Sequence, residues 1–307
     1  MLDVRRLIML RAVAAEGSIA AAARRLQYTR SAVSQQLSAL EAEAGTALVS
    51  RAGNRIGLTP AGRNLVEHAE RIVVELRAAE ASLAGTAGTL GLLRVGIPFR
   101  EGPWIMSRAL TEVRRQFPDM EIHLAAISDE TGADAVRRDD LDIVIVSRYG
   151  NARGPDGQGL REWDLRQDPL TLCVHPQHPL AGGTTCAMAQ LEDEAWVLSP
   201  DTTLGRLITS MCTTAGFQPK VTATVNDVGT AIGLVGIGWG ITIAPESTPV
   251  TGAAEVSRLR ITGVDAVRHS VLIVRDGEHL SPRLAAVISA VRAVSAGKTG
   301  PPAHTTP

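Results

Sequence analysis

The sequence has 307 residues, of which 45% are hydrophobic and 21% are charged, and its formal net charge at pH 7 is −1. This length predicts two or more domains with cores of their own, and the composition excludes an intrinsically disordered chain. Three cysteines without a CxxC pair exclude a disulfide-stapled scaffold and indicate free thiols. No apolar run is long enough to span a membrane, and MLDVRRLIML is too short and too charged for a secretory signal, so we expect a cytoplasmic protein with no membrane partner.

The charge is unevenly distributed along the chain. Residues 1–65 contain nine arginines and four acidic residues, a surplus of +5, which leaves about −6 for the remainder. A basic first domain joined to a mildly acidic remainder favours a DNA-binding module attached to a second domain.

The first predicted elements are helical. Residues 3–15 form an amphipathic helix that Gly17 ends, and residues 18–41 then form two short helices joined by a tight turn. Ser18 and Thr29 are the predicted N-caps of these two helices. The second helix is expected to bury one apolar face, formed by Val33, Leu37 and Leu40 at spacings of four and three.

The opposite face of that second helix carries short polar side chains and an arginine, at Arg30, Ser31, Ser34, Gln35 and Ser38. Such side chains suit a helix that approaches base edges in the major groove of DNA. An ordinary helical hairpin in an all-α domain is the alternative, because helix-turn-helix patterns alone give false positives.

Residues 46–58 are predicted to form a β-hairpin, because Gly53-Asn54 is a two-residue turn signal between short extended runs. Arg51 and Arg55 flank this turn. In a wing beside a recognition helix they would reach phosphates or the adjacent minor groove, and otherwise they are solvated arginines of a hairpin.

A long helix is predicted from Thr59-Pro60 to about Leu83. Its apolar positions follow a heptad-like spacing of 4, 3, 4, 3 and 4, which predicts a dimerisation seam, although a helix packed along its own domain is the alternative. The predicted seam consists of Leu65, Ala69, Ile72, Leu76, Ala79 and Leu83.

A flexible boundary is expected at GTAGTLG, residues 85–91, after which strands alternate with helices. We expect strands at 92–97, 121–127, 142–147, 170–175, 196–199, 221–225, 240–245 and 268–274, in a mostly parallel sheet. Helices are expected at 103–117, 131–138, 203–215, 227–237 and 281–296. The polar, proline-containing residues 297–307 are predicted to be disordered.

The chain resembles the LysR-type transcriptional regulators from residue 2 to about 296. The resemblance is carried by motifs in order: EGSIAAAARRL, SAVSQQLSALE, Leu48 with Arg51, LTPAG, RVGIP, LDIVI and VGTAIGLVGIGWGITIAP. It departs from the family at Val49, Ser50 and Arg30-Ser31, where aromatic, acidic and Gln-Pro residues are frequent. These departures concern the base preference rather than the binding of DNA.

The resemblance implies an α+β multidomain protein with a winged helix-turn-helix, a linker coiled-coil helix and a periplasmic-binding-protein-like α/β effector domain of two subdomains. The expected bounds are 1–58 for the winged domain, with its helix-turn-helix at about 18–37, 59–84 for the linker helix and 85–296 for the effector domain. Subdomain I takes about 91–163 plus 267–296, and subdomain II takes about 164–266.

The implied function is a sequence-specific, DNA-binding transcriptional regulator controlled by a small-molecule effector bound between the two subdomains, and not an enzyme. The implied partners are double-stranded DNA, a second copy in a homodimer or homotetramer, and the effector, with RNA polymerase as a further candidate. No cofactor or metal is expected. The residues expected at DNA are Ser18, Thr29, Arg30, Ser31, Ser34, Gln35, Ser38, Arg51 and Arg55.

An effector between two α/β subdomains is expected beyond the carboxyl ends of their strands. The residues at these ends are Phe99, Arg100, Ser128, Ser147, Arg148, Ser199, Thr202, Thr203 and Asn226. The residues from Ser199 to Thr203 precede a helix, so hydroxyls and backbone N–H groups there suit a carboxylate or phosphate, as do the two arginines. The alternative is that these are ordinary loop residues.

Other signals and other functions are weaker. Gly236-Ile237-Gly238-Trp239-Gly240 lies between a predicted helix and a strand, which is the wrong order for a dinucleotide-binding loop. His175 and His178 in HPQHP indicate a turn rather than a metal site. A solute-binding module without DNA, and an α/β enzyme, are opposed by the basic first domain and by the lack of a catalytic constellation.

Overall fold

The computed structural model of the chain describes residues 1–52, 55–84, 92–98, 102–150, 159–250, 255–264 and 266–297. The chain divides into two compact units. The first unit comprises Met1–Leu90, Gly157–Arg161 and Arg275–Ala285, and the second comprises Gly91–Asp156, Glu162–Val274 and Ala286–Pro307. No helix in the described part of the chain is long and apolar enough to cross a membrane.

The first unit begins with three helices, α1 (Val4–Glu16), α2 (Ile19–Arg25) and α3 (Arg30–Ala44). Gly17 and Gly45 end α1 and α3 with φ angles of 64° and 67°, the left-handed region that glycine adopts without strain. The three helices bury one shared core, to which the predicted apolar face of α3 contributes. The two predicted helices at 18–41 are therefore confirmed.

The hairpin and the long helix follow in the same unit. Strands β1 (Val49–Ala52) and β2 (Arg55–Leu58) pair antiparallel, and α4 runs over Pro60–Ala84. The predicted turn at Gly53-Asn54 lies outside the described residues, but the two strands that it would join are those of the predicted wing.

The apolar positions of α4 divide into two groups. Ala69 is fully buried in the core that α4 shares with the first three helices, and Leu65 packs against that core. Ile72, Leu76 and Leu83 are instead exposed by 37%, 41% and 71%, and Ala79 is also exposed. The predicted seam is therefore wrong for Ala69, which is fully covered within its own domain, while half-buried Leu65 and the other four positions stay a prediction.

The second unit alternates strands and helices. The strands are β3 (Leu92–Ile97), β4 (Glu121–Ala126), β5 (Ile143–Tyr149), β6 (Leu160–Val174), β7 (Thr185–Ala187), β8 (Ala195–Leu198), β9 (Lys220–Thr224), β10 (Thr242–Pro245), β11 (Ser257–Thr262) and β12 (Val267–Arg275). The helices are α5 (Gly102–Gln116), α6 (Gly132–Arg137), α7 (Thr203–Thr214), α8 (Val228–Gly236) and α9 (Pro282–Ala296), with a short 3-10 helix at Met188–Leu191. The first turn of α9 and a second 3-10 helix, Glu278–Leu280, belong to the first unit.

The sheets of this unit are mixed, so the expectation of a mostly parallel sheet is wrong. One sheet has the order β4-β3-β5-β12-β6-β11-β7 with β10 also paired to β6, while β8 and β9 form a separate parallel pair. Strand β3 pairs parallel with β4 and β5, as βαβ units require. However, β12 pairs antiparallel with β5, and β10 and β11 pair antiparallel with β6, because the chain returns to these strands from later elements.

The core of the second half of this unit surrounds Trp196 on β8, which is fully buried with Leu172, Leu191 and Ile243. Strands β5 and β12 carry a continuous run of buried aliphatic residues at Ile143–Val146 and Val271–Val274. Such runs are typical of strands covered on both faces, and they hold the strand ends in place at the cavity described below.

Candidate functional site

The exposed face of α3 is the first candidate site. Arg30, Ser31, Gln35 and Ser38 are exposed and Ser34 is half-buried, whereas Val33, Leu37 and Leu40 on the opposite face are buried in the core. The assignment of the two faces from apolar spacing is therefore confirmed. The structure brings the predicted polar residues of α3 together on one accessible surface.

Ser18 and Thr29 serve as N-caps. The Ser18 hydroxyl accepts the N–H of Ala21 at 3.1 Å, and the Thr29 hydroxyl accepts the N–H of Ala32 at 3.1 Å. Each cap satisfies a backbone donor that the first turn of a helix leaves without a partner, so both hydroxyls orient α2 and α3. Tyr28, in the turn before α3, is half-exposed and was not among the predicted residues.

The start of the wing is held from two sides. One carboxylate oxygen of Glu41, on α3, accepts the N–H groups of Leu48 and Val49 at 2.9 and 3.1 Å. From the other side, the hydroxyl of Thr59 donates to the carbonyl of Ala47 at 2.8 Å and its N–H donates to the carbonyl of Leu48 at 3.0 Å. These bonds fix the hairpin relative to both α3 and the start of α4.

The structure describes the wing arginines by their backbone positions only. Arg51 lies on β1 and pairs in register with Ile56, and Arg55 lies on β2 and pairs with Ala52. Their side chains lie outside the described part of the chain. Arg63, in the first turn of α4, donates to the carbonyl of Leu58 at 2.8 Å and so ties the second strand of the wing to α4.

The second candidate site is a cavity of about 430 Å³ in the second unit. It is lined by the ends of β4, β5 and β8 and by the first turns of α7 and α8, which places it where the carboxyl ends of strands meet helix N-termini. Its wall combines aliphatic side chains, including Ile127, Leu198, Leu204, Ile208 and Ile243, with hydroxyl groups.

Six of the nine predicted effector residues line this cavity: Ser128, Ser147, Ser199, Thr202, Thr203 and Asn226. Phe99 and Arg100 lie outside the described residues. Arg148 is not among the described lining residues, and its guanidinium forms two hydrogen bonds of 2.6 Å with the carboxylate of Glu162 on β6. The structure does not place it in the cavity, and its role as an effector ligand stays a prediction.

Charged groups that the sequence did not single out also line the cavity. They are Asp129, Glu130, Asp227 and Arg268. The carboxylate of Asp129 accepts the N–H of Ser147 at 2.6 Å, and Asp227 caps α8 by accepting two backbone N–H groups at 3.0 Å. Arg268 forms a buried ion pair of 2.6 Å with Asp168, so its positive charge is balanced within the protein.

The first turn of α7 packs tightly against the end of β8. Thr202 caps α7 by accepting the N–H of Gly205 at 3.1 Å and by donating its hydroxyl to the carbonyl of Ser199 at 2.7 Å. A Cβ atom on Gly205 would lie 2.0 Å from that same carbonyl oxygen. The glycine therefore permits the close approach that brings the helix N-terminus to the cavity.

The histidine pair in HPQHP forms a turn, as predicted. The N–H of His178 donates to the carbonyl of His175 at 2.9 Å, and Nε2 of His178 lies 3.2 Å from the carboxylate of Glu194. Within the described residues, no group of three or more histidine, cysteine or acidic side chains is arranged to hold a metal ion.

Two family models match the chain. Residues 4–63 match the bacterial regulatory helix-turn-helix protein of the lysR family, and residues 86–296 match the LysR substrate binding domain. The second model alone covers more than half of the chain, and its match contains every described residue that lines the cavity.

Individual relatives agree with these matches. The transcriptional regulator AlsR of Bacillus subtilis is 27% identical over 289 residues, which cover 91% of this chain and 92% of AlsR. A probable hydrogen peroxide-inducible genes activator of Mycobacterium avium is 30% identical, over 81% of this chain and 79% of its own length. Among solved structures, full-length CbnR complexed with its target DNA is 26% identical with a TM-score of 0.51, over 96% of this chain and all of CbnR.

Proposed function

The chain belongs to the LysR family of bacterial transcriptional regulators, and we propose that it recognises its operator through the exposed face of α3 and the wing. It is a DNA-binding regulator with an effector-binding domain, and the family is not one of enzymes. The observation that carries the proposal is the division of α3 into an accessible polar face and a fully buried apolar face.

The polar face of α3 has the chemistry of direct base recognition. Arg30 can donate two hydrogen bonds to a guanine, and Gln35 can donate one hydrogen bond to N7 of an adenine and accept one from its N6 amino group, while the short hydroxyls let the helix enter the groove. The wing contributes Arg51 and Arg55, which we assign to phosphates or to the minor groove. Ser18 and Thr29 act by capping and present their N-terminal turns to the DNA backbone.

We infer that DNA is bound by a dimer or a tetramer. Two recognition helices related by a two-fold axis match two half-sites one or more helical turns apart. The exposed apolar residues Ile72, Leu76, Ala79 and Leu83 on α4 are the candidate contact surface between copies. Since DNA is the target, the cytoplasm is the expected place of action, and RNA polymerase is a candidate partner once the protein is bound upstream of a gene.

The effector is proposed to bind in the cavity among Ser128, Ser147, Ser199, Thr203 and Asn226. A volume of about 430 Å³ suits a small molecule with an apolar body, since aliphatic side chains form much of the wall. An anionic group on that molecule would be held at the first turn of α7, where Thr202 and Thr203 lie at a helix N-terminus.

Peroxide sensing through a thiol is a second function to consider, because one relative is named for it. The cysteines here do not favour it. Cys173, Cys186 and Cys212 are all free and buried, and burial raises the pKa of each, for Cys212 to about 11. A buried thiol with a raised pKa is poorly ionised at neutral pH and reacts slowly with peroxide.

The proposed DNA surface is tested with the full chain and labelled double-stranded DNA that the wild type selects from a random pool, by fluorescence anisotropy over a series of salt concentrations. Phosphate contacts predict a logarithm of the affinity that falls linearly with the logarithm of salt concentration. The Arg30→Ala and Gln35→Ala variants should bind more weakly than wild type, whereas Arg115→Ala, at an exposed site outside the winged domain, should not. Equal binding by all four proteins would remove α3 from the DNA surface.

The proposed effector site is tested by a thermal-shift screen of small molecules, repeated with Ser199→Ala and Thr203→Ala. A compound that stabilises wild type should stabilise these variants less, because both hydroxyls line the cavity. Unchanged stabilisation in both variants would place its binding site elsewhere.

A further inference from the structure

Glu130 connects two walls of the effector cavity. It lies between β4 and α6, and it accepts hydrogen bonds from the Thr203 hydroxyl at 2.5 Å and from the Arg206 guanidinium at 3.0 Å, both on α7. Glu130 and Thr203 both line the cavity. A carboxylate on the segment between β4 and α6 is thus held at the N-terminus of α7.

The first turn of α7 contains one arginine and follows Asp201, which precedes the N-cap Thr202. No acidic residue lies in this turn, the N-terminus of the 12-residue helix carries the positive end of the helix dipole, and Arg206 lies only three residues beyond the first helical position. The guanidinium of Arg206 also donates to the carbonyl of Asp201 at 2.6 Å and to the Thr203 hydroxyl at 3.3 Å, so it is fixed over the helix N-terminus. Such an arrangement attracts an oxyanion.

Glu130 supplies that oxyanion within the same chain. Burial raises the pKa of its carboxyl, but hydrogen bonds led by the one from Thr203 outweigh that effect and leave the pKa below the ordinary value of a glutamate. The carboxylate is therefore ionised at neutral pH. By contrast, Asp129 and Asp227 bind backbone N–H groups of their own subdomains, at Ser147 and at the start of α8.

We propose that Glu130 is an internal competitor of the effector, and that the effector carries a carboxylate or a similar planar oxyanion. This inference rests on the proposed function of the cavity. In the unliganded protein, Glu130 binds Thr203 and Arg206 and holds the two subdomains together at this point. An effector oxyanion in the cavity takes over the Thr203 hydroxyl, releases Glu130 from Thr203 and Arg206, and so changes how the subdomains are held.

Displacement requires that the internal contact be weak. The side chains of Glu130 and Arg206 are 39% and 55% exposed, and exposed ion pairs change an equilibrium by only about 2- to 5-fold. A ligand of modest affinity can therefore replace Glu130. A fully buried pair, such as that of Arg268 with Asp168, could not be exchanged so readily.

The test is chemical rescue of a Glu130→Ala variant of the full chain with acetate, which is the carboxylate that the substitution removes. Hydrogen exchange of the backbone amides in residues 203–206 reports whether the first turn of α7 is held. We expect about 2- to 5-fold faster exchange in the variant than in wild type. Acetate should restore the protection, while acetamide, and chloride at equal ionic strength, should not.

Three further variants complete the test. Arg206→Ala combined with Glu130→Ala should lose the response to acetate, and Glu130→Gln, which keeps the shape without the charge, should exchange faster than wild type. Glu112→Ala breaks an exposed ion pair with Arg115 on α5 and serves as the matched control. It should leave exchange in residues 203–206 unchanged.

The proposal is overturned if backbone amides 203–206 of Glu130→Ala exchange as slowly as in wild type. It is also overturned if acetate protects these amides no more than chloride does, or if Glu130→Gln keeps the full protection of wild type. DNA binding is measured for every protein in parallel. Failure of wild type to bind DNA would refute the proposed function, whereas the exchange results judge the role of Glu130 by themselves.

Discussion

Replacing Gly62 by alanine adds one methyl group where α4 meets the start of the wing. The new Cβ would lie 2.0 Å from the carbonyl oxygen of Leu48, although a Cβ atom essentially never approaches another atom within 3.0 Å. The first turn of α4 must then move away from the wing by about 1 Å. That movement would strain the two hydrogen bonds that Thr59 donates to the carbonyls of Ala47 and Leu48.

The magnitude follows from three effects. Weakening two hydrogen bonds costs about 1 to 3 kcal/mol, and overpacking costs about 1 to 3 kcal/mol. Alanine returns about 1 kcal/mol, because it is the better helix former. We expect Gly62→Ala to lower the free energy of unfolding of the winged domain by about 3 kcal/mol and to weaken DNA binding, because the wing loses its fixed position beside α3.

The sequence provides a way to observe the winged domain by itself. All four tryptophans, at positions 104, 163, 196 and 239, follow residue 90, so tryptophan emission reports only the second unit while far-UV circular dichroism reports both. In Gly62→Ala, dichroism should detect a transition at lower denaturant concentration, and the emission transition should stay as in wild type.

Gly233→Ala is the matched control, because Gly233 lies inside α8 and a Cβ there meets no atom within 4 Å. It should raise the stability seen by tryptophan emission by up to about 1 kcal/mol. If Gly62→Ala unfolds and binds DNA as wild type does, then the close contact between α4 and Leu48 does not position the wing.

Four other outcomes are expected. Arg30→Ala should weaken DNA binding by about 1 to 3 kcal/mol in anisotropy and change the melting temperature little. Val33→Ala, at a buried position, should lower the free energy of unfolding by about 2 kcal/mol in thermal unfolding. Leu76→Glu should shift the protein towards monomers in sedimentation velocity, because a charge would enter the proposed contact surface of α4. Asp168→Asn should lower the free energy of unfolding by about 3 kcal/mol in urea titration, since it breaks a buried ion pair. A molar excess of hydrogen peroxide should leave DNA binding unchanged, and rapid loss of binding would show that a buried thiol is reactive.

Helices and strands were predicted correctly where residues close together in the sequence determine them. The caps Ser18 and Thr29 predicted both helices, the apolar spacing of α3 predicted its two faces, and the strand expected at 92–97 is β3. The first half of β6, from Leu160, was missed because its side chains are mostly partly exposed and show no regular alternation. The direction of β12 was also missed, since strand direction is set by the partner strand and not by the strand itself.

The location of the cavity was predicted from the sequence, but the side-chain contacts around it were not. The rule that ligands bind beyond the carboxyl ends of strands selected Ser128, Ser199 and four other lining residues. It did not foresee the ion pair of Arg148 and overlooked Glu130, because the ion pairs with Glu162 and Arg206 join residues that are 14 and 76 positions apart. Side-chain pairing at such separations depends on the fold and is not visible in residue order.

The long helix shows the same limit. A heptad-like spacing identifies the apolar side of α4 but does not identify what covers it. Ala69 is covered by the helices of the winged domain, while Leu76 and Leu83 remain accessible for a second copy. The distinction follows from where the first three helices end against α4, which the spacing does not encode.

Selection of the 307-residue chain against a pool of random double-stranded DNA tests whether α3 recognises an operator. We expect enrichment of sequences with two half-sites related by two-fold symmetry and spaced by whole helical turns, and binding to them should weaken with salt. The half-site preference should change in Gln35→Ala. No enrichment at low salt, or enrichment that is the same with and without the Gln35 side chain, would contradict the account.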